Sequence, residues 1–247
     1  MKQILIAFAC MALITSCKTN ENLNQLKSKN MNSIFEIAIN QSKEGKHQTF
    51  IDTRKNFVEV LGKEAAALNE GKWAPFFTVV PELPLDKILI GMTEWNSMAG
   101  FGEVAARLMP QKEAVDYFAS FNPLAYALLE TVDGKSFDMN SIKEDGLVVE
   151  FAIRKGKTAD AFGDNREVFF NSLKNYEGYK FAREFKVYKL SEQGVPSLAE
   201  NTQAVIIVWE NAEKFQAAAT PIFGTQEYQN FAANLDVETY FATSPTK

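Results

Sequence analysis

An eight-residue motif occurs twice in the chain. "FIDTRKNF" runs from Phe50 to Phe57 and "FGDNREVF" from Phe162 to Phe169, with Phe, Asp, Arg and Phe in the same places. Neighbouring stretches match as well, "FEIAINQSKEGK" with "VEFAIRKGK" and "EWNSMAGF" with "VWENAEKF", at offsets of 111 to 114 residues. A nearly constant offset indicates a duplicated unit of about 110 residues, because chance similarity would drift. The chain is therefore predicted to contain two copies of one fold.

Each copy has the same predicted order of elements, namely strand, helix, strand, strand, helix, strand. The strands are predicted at residues 33–40, 73–80, 87–95 and 124–132 of the first copy, and at 147–154, 179–190, 203–209 and 237–243 of the second. The helices are predicted at 47–69, 97–119, 159–176 and 211–234. This order is ferredoxin-like. The predicted fold class is α+β, with a first unit over 33–135, a linker over 136–146 and a second unit over 147–243.

The chain resembles the dimeric α-β barrel superfamily, in particular its antibiotic biosynthesis monooxygenase-like domains. The resemblance rests on the Gly-Lys turn after the first strand, the Phe-containing helix, and the Trp-x-x-x-x-x-Phe spacing after the third strand. In that family two ferredoxin-like units, from two chains or from a tandem repeat, bring their sheets together into one barrel. The resemblance implies that this chain closes a barrel by itself, which is consistent with a monomer.

The N-terminus "MKQILIAFACMALITSC" has a basic residue, a short apolar run and small residues before Cys17. Such a run is too short to span a membrane and is typical of a secretion signal. Its end, "ITSC", resembles the lipobox of bacterial lipoproteins. We therefore expect residues 1–16 to be a cleaved signal peptide and Cys17 to carry membrane lipid, with 17–32 as a polar tether. The expected location is the cell envelope, at the periplasmic or outer face of the outer membrane.

Composition excludes several functions. Removal of the signal also removes Cys10, so no second thiol remains for a disulfide or a metal. The net charge is -5, and Lys and Arg are scattered, so no nucleic-acid partner is expected. Phosphate loops, HExxH and GxSxG motifs are absent from the sequence. No metal and no cofactor are expected.

Two arginines lie within the apolar stripes of the first helix of each unit, Arg54 and Arg166. A guanidinium there is either satisfied by a structural ion pair or lines a cavity that holds an anionic ligand. Glu36 and Glu150, on the first strands, are the candidate partners. They alternate with Phe35, Ile37 and Ile39, and we expect them to point into the barrel lumen.

Trp95 and Trp209 occupy the position where the resembled family keeps a tryptophan, which crowds the haem in its haem-degrading members. Those members also need a histidine on the following helix, and this chain has none there. The tryptophans are then either core residues or part of a ligand site. The single histidine, His47, begins the first helix and is either a surface residue or a haem ligand or base.

Two functions are open at this stage. The first is a membrane-tethered protein that binds a small apolar or anionic ligand, or a protein, with no assignable reaction. The alternative is a cofactor-independent monooxygenase-like enzyme that acts on an aromatic substrate in the barrel lumen. An open lumen lined by Arg, Glu and Trp would favour a ligand or substrate site, whereas a lumen filled with Phe and Met would favour a structural role.

Overall fold

The duplicated sequence folds into eight strands and six helices over the described part of the chain. The computed structural model describes residues 33–79 and 83–246. The expected signal peptide, lipid-bearing Cys17 and tether lie outside the described residues. No helix within the described ranges is long and apolar enough to cross a membrane.

The two units have matching elements. The first unit contains β1 (Ile34–Ser42), α1 (His47–Leu61), β2 (Ala67–Phe77), β3 (Ile88–Trp95), α2 (Met98–Leu108), α3 (Lys112–Phe118) and β4 (Phe121–Thr131). The second contains β5 (Val148–Gly156), α4 (Asp164–Leu173), β6 (Tyr179–Leu190), β7 (Pro196–Trp209), α5 (Ala212–Gly224), α6 (Gln226–Ala232) and β8 (Leu235–Pro245). Strands β4 and β8 are 114 positions apart in sequence, which extends the repeat to the end of each unit.

The strands form one closed antiparallel barrel in the order β1-β3-β2-β8-β5-β7-β6-β4. Each unit therefore contributes a four-stranded sheet with its first and third strands at the centre. The sheets join at two seams, where β2 pairs with β8 and β4 pairs with β6. The predicted fold class, two tandem ferredoxin-like units closing a barrel within one chain, is confirmed.

The lumen of the barrel is a packed apolar core. Alternate residues of β1, Phe35, Ile37 and Ile39, point into it and are at most 2% exposed. They meet side chains of the second unit, so that Phe35 lies edge-to-face on Phe185 with ring centroids 5.9 Å apart. Large side chains leave no room for a ligand there. Burial of this surface, at about 25 cal/mol per Å2, is what holds the two sheets together.

The expectation that Glu36 and Glu150 point into the lumen is wrong. Successive side chains of a strand point to opposite faces, and the apolar set took the lumen because each sheet buries that face against the other. Glu36 and Glu150 consequently point outward, toward the helices that cover each sheet. The lumen is filled with apolar side chains, so a ligand site cannot lie there and has to be sought on the outer face of the sheets.

The linker is part of that core. Residues Met139–Ile142 form a short 3-10 helix, and Phe137, Met139 and Ile142 are buried among the lumen side chains. Trp73 of β2 donates a hydrogen bond from its indole Nε1 to the carbonyl oxygen of Ile142 at 3.0 Å. The segment that connects the units thus also closes one end of the barrel.

Helix boundaries differ from those predicted. Helix α1 ends at Leu61, because residues 67–77, although rich in good helix formers at their start, pair with β3 as strand β2. The helix predicted over 211–234 is broken at Thr225, whose backbone is extended and whose hydroxyl accepts a hydrogen bond from the Tyr228 N–H at 3.2 Å. Thr225 thereby caps the start of α6.

Candidate functional site

A cluster of polar side chains lies between the sheet and the helices of the first unit. We call it the first polar centre, and it consists of Glu36, Asn40, Arg54, Glu70, Trp95, Tyr117 and Tyr126. Its middle is the carboxyl group of Glu36 on β1. The indole Nε1 of Trp95 donates a hydrogen bond to this carboxylate at 3.0 Å, and the Tyr126 hydroxyl donates another. Burial raises the pKa of Glu36, although both hydrogen bonds act in the opposite direction.

Arg54 reaches the same space from α1 and forms an ion pair with Glu70 of β2. The side chain of Arg54 is 10% exposed and that of Glu70 is 24% exposed, so Glu70 is the more accessible member of the pair. Burial raises the pKa of Glu70, while the charge of Arg54 lowers it. Arg54 therefore forms an ion pair, and its partner is Glu70, so the expected partner Glu36 is wrong.

Asn40 and Tyr117 complete the first polar centre on the side of α3. The Asn40 amide donates a hydrogen bond to the Tyr117 hydroxyl at 3.2 Å. Burial raises the pKa of Tyr117 to about 12, so the phenol stays protonated near neutrality. Tyr117 also stacks on Phe50 and Phe57 of α1, with ring centroids 5.9 and 5.4 Å away.

Aromatic clusters flank this polar group on two sides. One is formed around Trp95, whose ring meets Phe101 of α2 edge-to-face at 5.3 Å. The other contains Phe50, Tyr117 and Phe121 at the α1–α3 side. A carboxyl, a guanidinium and an amide between aromatic walls is the arrangement expected of a site that binds and orients a mostly apolar molecule.

The second unit repeats the carboxyl and its two donors. Glu150 accepts hydrogen bonds from Trp209 Nε1 and from the Tyr240 hydroxyl, and burial raises its pKa. Trp209 and Tyr240 lie 114 positions after Trp95 and Tyr126. The Glu-Trp-Tyr arrangement is thus a property of the repeated fold and belongs to both units.

The second unit differs from the first in having two arginines, in place of one, between its sheet and its helices. Arg154 of β5 and Arg166 of α4 both pair with Glu184 of β6, Arg154 at 3.2 Å. The Arg154 guanidinium also lies over three rings, those of Phe162, Phe170 and Phe231, at 5.1 to 5.7 Å. Burial lowers the pKa of Arg154 to about 10. Arg166 therefore belongs to an ion cluster with Arg154 and Glu184, and the expected partner Glu150 is wrong.

Solvent access distinguishes the two units. Glu36 and Ala38, on the outward face of β1, are partly exposed. Their counterparts in β5, Glu150 and Ala152, are each only 7% exposed. Glu36 as a residue is thus partly exposed in the first unit, whereas its counterpart is buried in the second, which makes the first polar centre the candidate site.

His47 lies apart from the first polar centre. Its ring Nδ1 is 3.2 Å from the hydroxyl oxygen of Ser42, at the start of α1. It lines a surface depression of about 430 Å3 together with charged residues such as Lys43 and Lys87. Neither this depression nor another of about 350 Å3 beside Arg107 is lined by Glu36, Arg54 or Trp95.

The residues present do not fit a metal or a haem. Within the described ranges, no group of three or more His, Cys, Asp or Glu side chains could hold a metal ion. A haem ligated by histidine between sheet and helices would need that histidine on one of the covering helices, and α2, α3, α5 and α6 carry none. His47 begins α1 and contacts Ser42 instead. We therefore derive no step through a metal or haem.

Sequence reasoning named part of the site. The structure brings Glu36, Arg54 and Trp95 together and leaves His47 aside. The sequence analysis did not name the other members of these clusters, which are Asn40, Glu70, Tyr117 and Tyr126 in the first unit and Arg154, Glu184 and Tyr240 in the second. Glu70 and Glu184 are 114 positions apart, as are Tyr126 and Tyr240, so a full alignment of the two units could have found them.

Comparison with known proteins identifies the fold. The chain has a TM-score of 0.53 to a proposed monooxygenase from Fusobacterium nucleatum at 11% identity, covering 89% of this chain and 94% of that one. It has a TM-score of 0.54 to an anthrone oxidase-like protein, at 11% identity and 88% and 94% coverage. It has a TM-score of 0.56 to a proposed chlorite dismutase at 9% identity, covering 88% of this chain and 96% of that one. No family model and no curated protein matches the sequence.

These likenesses support the dimeric α-β barrel fold inferred from the sequence. They contradict the leading interpretation of the function, a binding protein with no assignable reaction, because several of the solved structures that the chain matches carry the names of enzymes, namely a monooxygenase, an anthrone oxidase-like protein and a chlorite dismutase. The enzyme alternative is the better supported of the two. Its location in the lumen is wrong, since the lumen is filled.

Proposed function

We propose that the chain is a cofactor-independent oxygenase that acts on an aromatic substrate between the sheet and helices of its first unit. The observation that carries the proposal is the environment of Glu36. Glu36 is a partly exposed residue, and its carboxyl accepts hydrogen bonds from Trp95 and Tyr126 and has a pKa raised by burial. A carboxyl with a raised pKa is a better base near neutral pH than an ordinary one.

The chemistry that fits this site begins with removal of a proton. A substrate with an acidic CH2 group next to a carbonyl, such as anthrone, loses a proton to the Glu36 carboxylate. The negative charge then spreads over the substrate to its oxygen, and the guanidinium of Arg54 stabilises that oxygen. An electron-rich carbanion of this type reacts with dioxygen without a metal or flavin.

The atoms of this reaction balance with dioxygen as the only oxidant. The deprotonated carbon forms a bond to one oxygen atom and gives a hydroperoxide, which takes up the proton held by Glu36. The O–O bond then breaks as the second hydrogen leaves the carbon. One oxygen atom becomes the new carbonyl of the quinone, and the other leaves as water with the two hydrogens of the CH2 group.

Other residues of the first polar centre orient the reactants. Asn40 and Tyr117 offer neutral hydrogen-bonding groups on the side of α3. Trp95 holds the Glu36 carboxylate from the opposite side and is 2% exposed. The aromatic clusters exclude water, which strengthens the attraction between Arg54 and a developing anion. The anthrone oxidase-like neighbour supports the choice of substrate class.

The experiment compares two matched variants with anthrone as substrate. Dioxygen consumption and anthraquinone formation are measured, and the rate in buffer without protein is subtracted. The wild type is expected to exceed this rate in the presence of EDTA. Glu36→Gln should lower the enzymatic rate by about 100-fold or more, as expected for loss of a general base, whereas Glu150→Gln should retain it. A wild-type rate equal to that of buffer, or equal rates for both variants, would contradict the proposal.

We also propose that the chain is a lipoprotein of the cell envelope, which the sequence around Cys17 supports. A protein with acyl chains on Cys17 partitions into detergent on phase separation. Cys17→Ser should move the full-length chain from the detergent phase to the aqueous phase. Mass spectrometry of the N-terminus should show cleavage before Cys17 and two or three acyl chains.

A further inference from the structure

His47, the single histidine of the chain, lies within hydrogen-bonding distance of a serine. The Nδ1 atom of its ring is 3.2 Å from the hydroxyl oxygen of Ser42, which is the last residue of β1. A hydroxyl at about 2.6–3.2 Å from a histidine nitrogen is the arrangement of a nucleophile and the base that activates it. The sequence left open whether His47 acts as a base, and Ser42 is a group on which it could act.

This serine and histidine lie at a surface depression of about 430 Å3. Ser42 and His47 both line it, as do Pro84 and Lys87 from the segment before β3. The volume is within the usual range for small-molecule pockets, about 300–1,000 Å3. Ser42 is 4% exposed and His47 is partly exposed, so the depression is the route by which a small molecule reaches the pair.

The second unit has a different arrangement at the same place. Gly156 and Asn201 lie 114 positions after Ser42 and Lys87. The Asn201 amide donates hydrogen bonds to the carbonyl oxygens of Gly156 and Thr158 at 2.7 and 2.6 Å. A Cβ atom on Gly156 would lie 2.7 Å from that amide, so a side chain at this position would clash with it. Asn201 thus packs against the end of β5, whereas the end of β1 carries a serine beside a depression.

The N-terminus of α1 adds a partial positive charge at this depression. Its N-cap residue, Lys46, makes no side-chain hydrogen bond to the first turn, and that turn has no acidic residue. The first turn of α4, in contrast, carries two acidic residues. Gly45, His47 and Gln48 all line the depression, so the start of α1 borders it directly. Free N–H groups at a helix start stabilise a negatively charged oxygen.

We propose that Ser42 and His47 form a second catalytic site, which hydrolyses small esters. The Ser42 oxygen forms a bond to the ester carbonyl carbon, and its proton passes to Nδ1 of His47. The carbonyl oxygen becomes an oxyanion beside the start of α1. The bond to the leaving oxygen then breaks, and the alcohol departs with the proton from His47. Water repeats these steps on the acyl-serine and releases the acid, so the atoms balance without an oxidant.

The contacts of the histidine ring restrict the substrate class. In the part of the chain that the structure describes, the His47 ring contacts Ser42 and no carboxylate. A third group of that kind would hold the ring and stabilise its protonated form. The expected substrates are therefore esters of phenols, whose leaving groups need little help from an acid. The volume of the depression limits the acyl part to a small group.

The test uses 4-nitrophenyl acetate and measures release of 4-nitrophenolate, with the rate in buffer subtracted. Turnover is followed beyond one equivalent per lysine, which separates hydrolysis from acetylation of lysine side chains. Ser42→Ala should fall to the rate of buffer, and His47→Gln should lower kcat/KM by about 100-fold, as expected for loss of a general base. Ser172→Ala, a serine of α4 in the second unit, is the matched control and should keep the wild-type rate.

A covalent label tests whether the Ser42 hydroxyl is reachable and activated. A fluorophosphonate should attach to Ser42 in the wild type, as located by mass spectrometry of peptides, and much more slowly in His47→Gln. This measurement on the wild type keeps the test valid if Ser42→Ala does not fold, which its Tm shows. Wild-type turnover equal to that of buffer, a label absent from Ser42, or an undiminished rate in folded Ser42→Ala would overturn the proposal.

Discussion

Trp95 donates a hydrogen bond from its indole Nε1 to the Glu36 carboxylate at 3.0 Å, across a diagonal of the β1–β3 pair in which Trp95 lies opposite Ile34 and Glu36 opposite Thr93. A tryptophan that is 2% exposed cannot move without disturbing the aromatic cluster around Phe101. The bond therefore fixes the direction of a carboxyl whose pKa is raised by burial.

Glu36→Gln should raise the free energy of unfolding at pH 7. A carboxyl whose folded pKa is raised contributes stability that is fully present below its unfolded pKa and is lost as the pH rises through the folded value. Gln accepts the Trp95 hydrogen bond without a buried charge, so the variant avoids this loss. Urea unfolding at pH 4 and pH 7 should show a gain for the variant at pH 7 that shrinks at pH 4. An equal difference at both values would refute the assignment.

The rate of anthrone oxidation should rise with pH as Glu36 loses its proton. Because burial raises the pKa of Glu36, the rise is expected above the usual range of a glutamate. Steady-state rates between pH 4 and pH 9, corrected for the rate in buffer, measure it. The same rise must be absent from Glu36→Gln and present in Glu150→Gln.

Arg54→Ala should destabilise the protein more than Arg166→Ala. Removal of Arg54 leaves Glu70 partly buried without its main counter-charge, which we expect to cost about 1–3 kcal/mol after allowance for its exposure. Removal of Arg166 leaves Glu184 paired with Arg154, and Arg166 is 27% exposed, so the cost should stay below about 1 kcal/mol. Chemical denaturation measures both. The reverse order would mean that Lys143 alone compensates Glu70.

Glu184→Gln should be the most destabilising polar change in the second unit. It leaves two guanidinium groups facing each other without a counter-charge, and loss of one partner of a buried pair costs about 3–5 kcal/mol. Arg154→Met keeps contact with the rings of Phe162, Phe170 and Phe231, leaves the Arg166–Glu184 pair, and should be close to neutral. Thermal unfolding of the two variants tests this, and equal losses would contradict it.

Trp73→Ala should loosen the barrel at the linker. The side chain is fully buried in the lumen, packs edge-to-face on Phe151 at 5.3 Å, and donates to the Ile142 carbonyl. Large-to-small changes of this kind cost about 3–5 kcal/mol. Trp73→Phe should cost less and isolates the lost hydrogen bond. Faster hydrogen exchange over residues 136–146 in the alanine variant would locate the effect, and unchanged exchange there would count against it.

The fold could be predicted from the repeat, because two matched motifs at a nearly constant offset indicate two similar units. Two similar sheets then bury their apolar faces against each other. The face of Glu36 could not be assigned in the same way. Alternation along β1 separates two sets of side chains, but both sets meet a covered surface, and only packing decides that Phe35, Ile37 and Ile39 enter the lumen.

The candidate site was recovered only in part for a similar reason. Arg54 was conspicuous because it interrupts an apolar stripe, whereas Glu70 falls between the predicted helix over 47–69 and the predicted strand over 73–80 and lies on strand β2. Its role depends on the contact with Arg54, which lies 16 positions earlier in the sequence and on a helix, whereas Glu70 lies on a strand. Such a contact follows from the assembled sheet and has no local signature.

The two units of the barrel are encoded by separate stretches of one chain, so each can change independently. The two identical subunits of a homodimer cannot. In a homodimer each substitution appears at two equivalent places, so a change that fills one cleft fills both. Here the second unit is free to bury Glu150 and to pack Arg154 against three rings, while Glu36 of the first unit stays partly exposed. A single substitution can therefore change the function of one unit and leave the other unit unchanged.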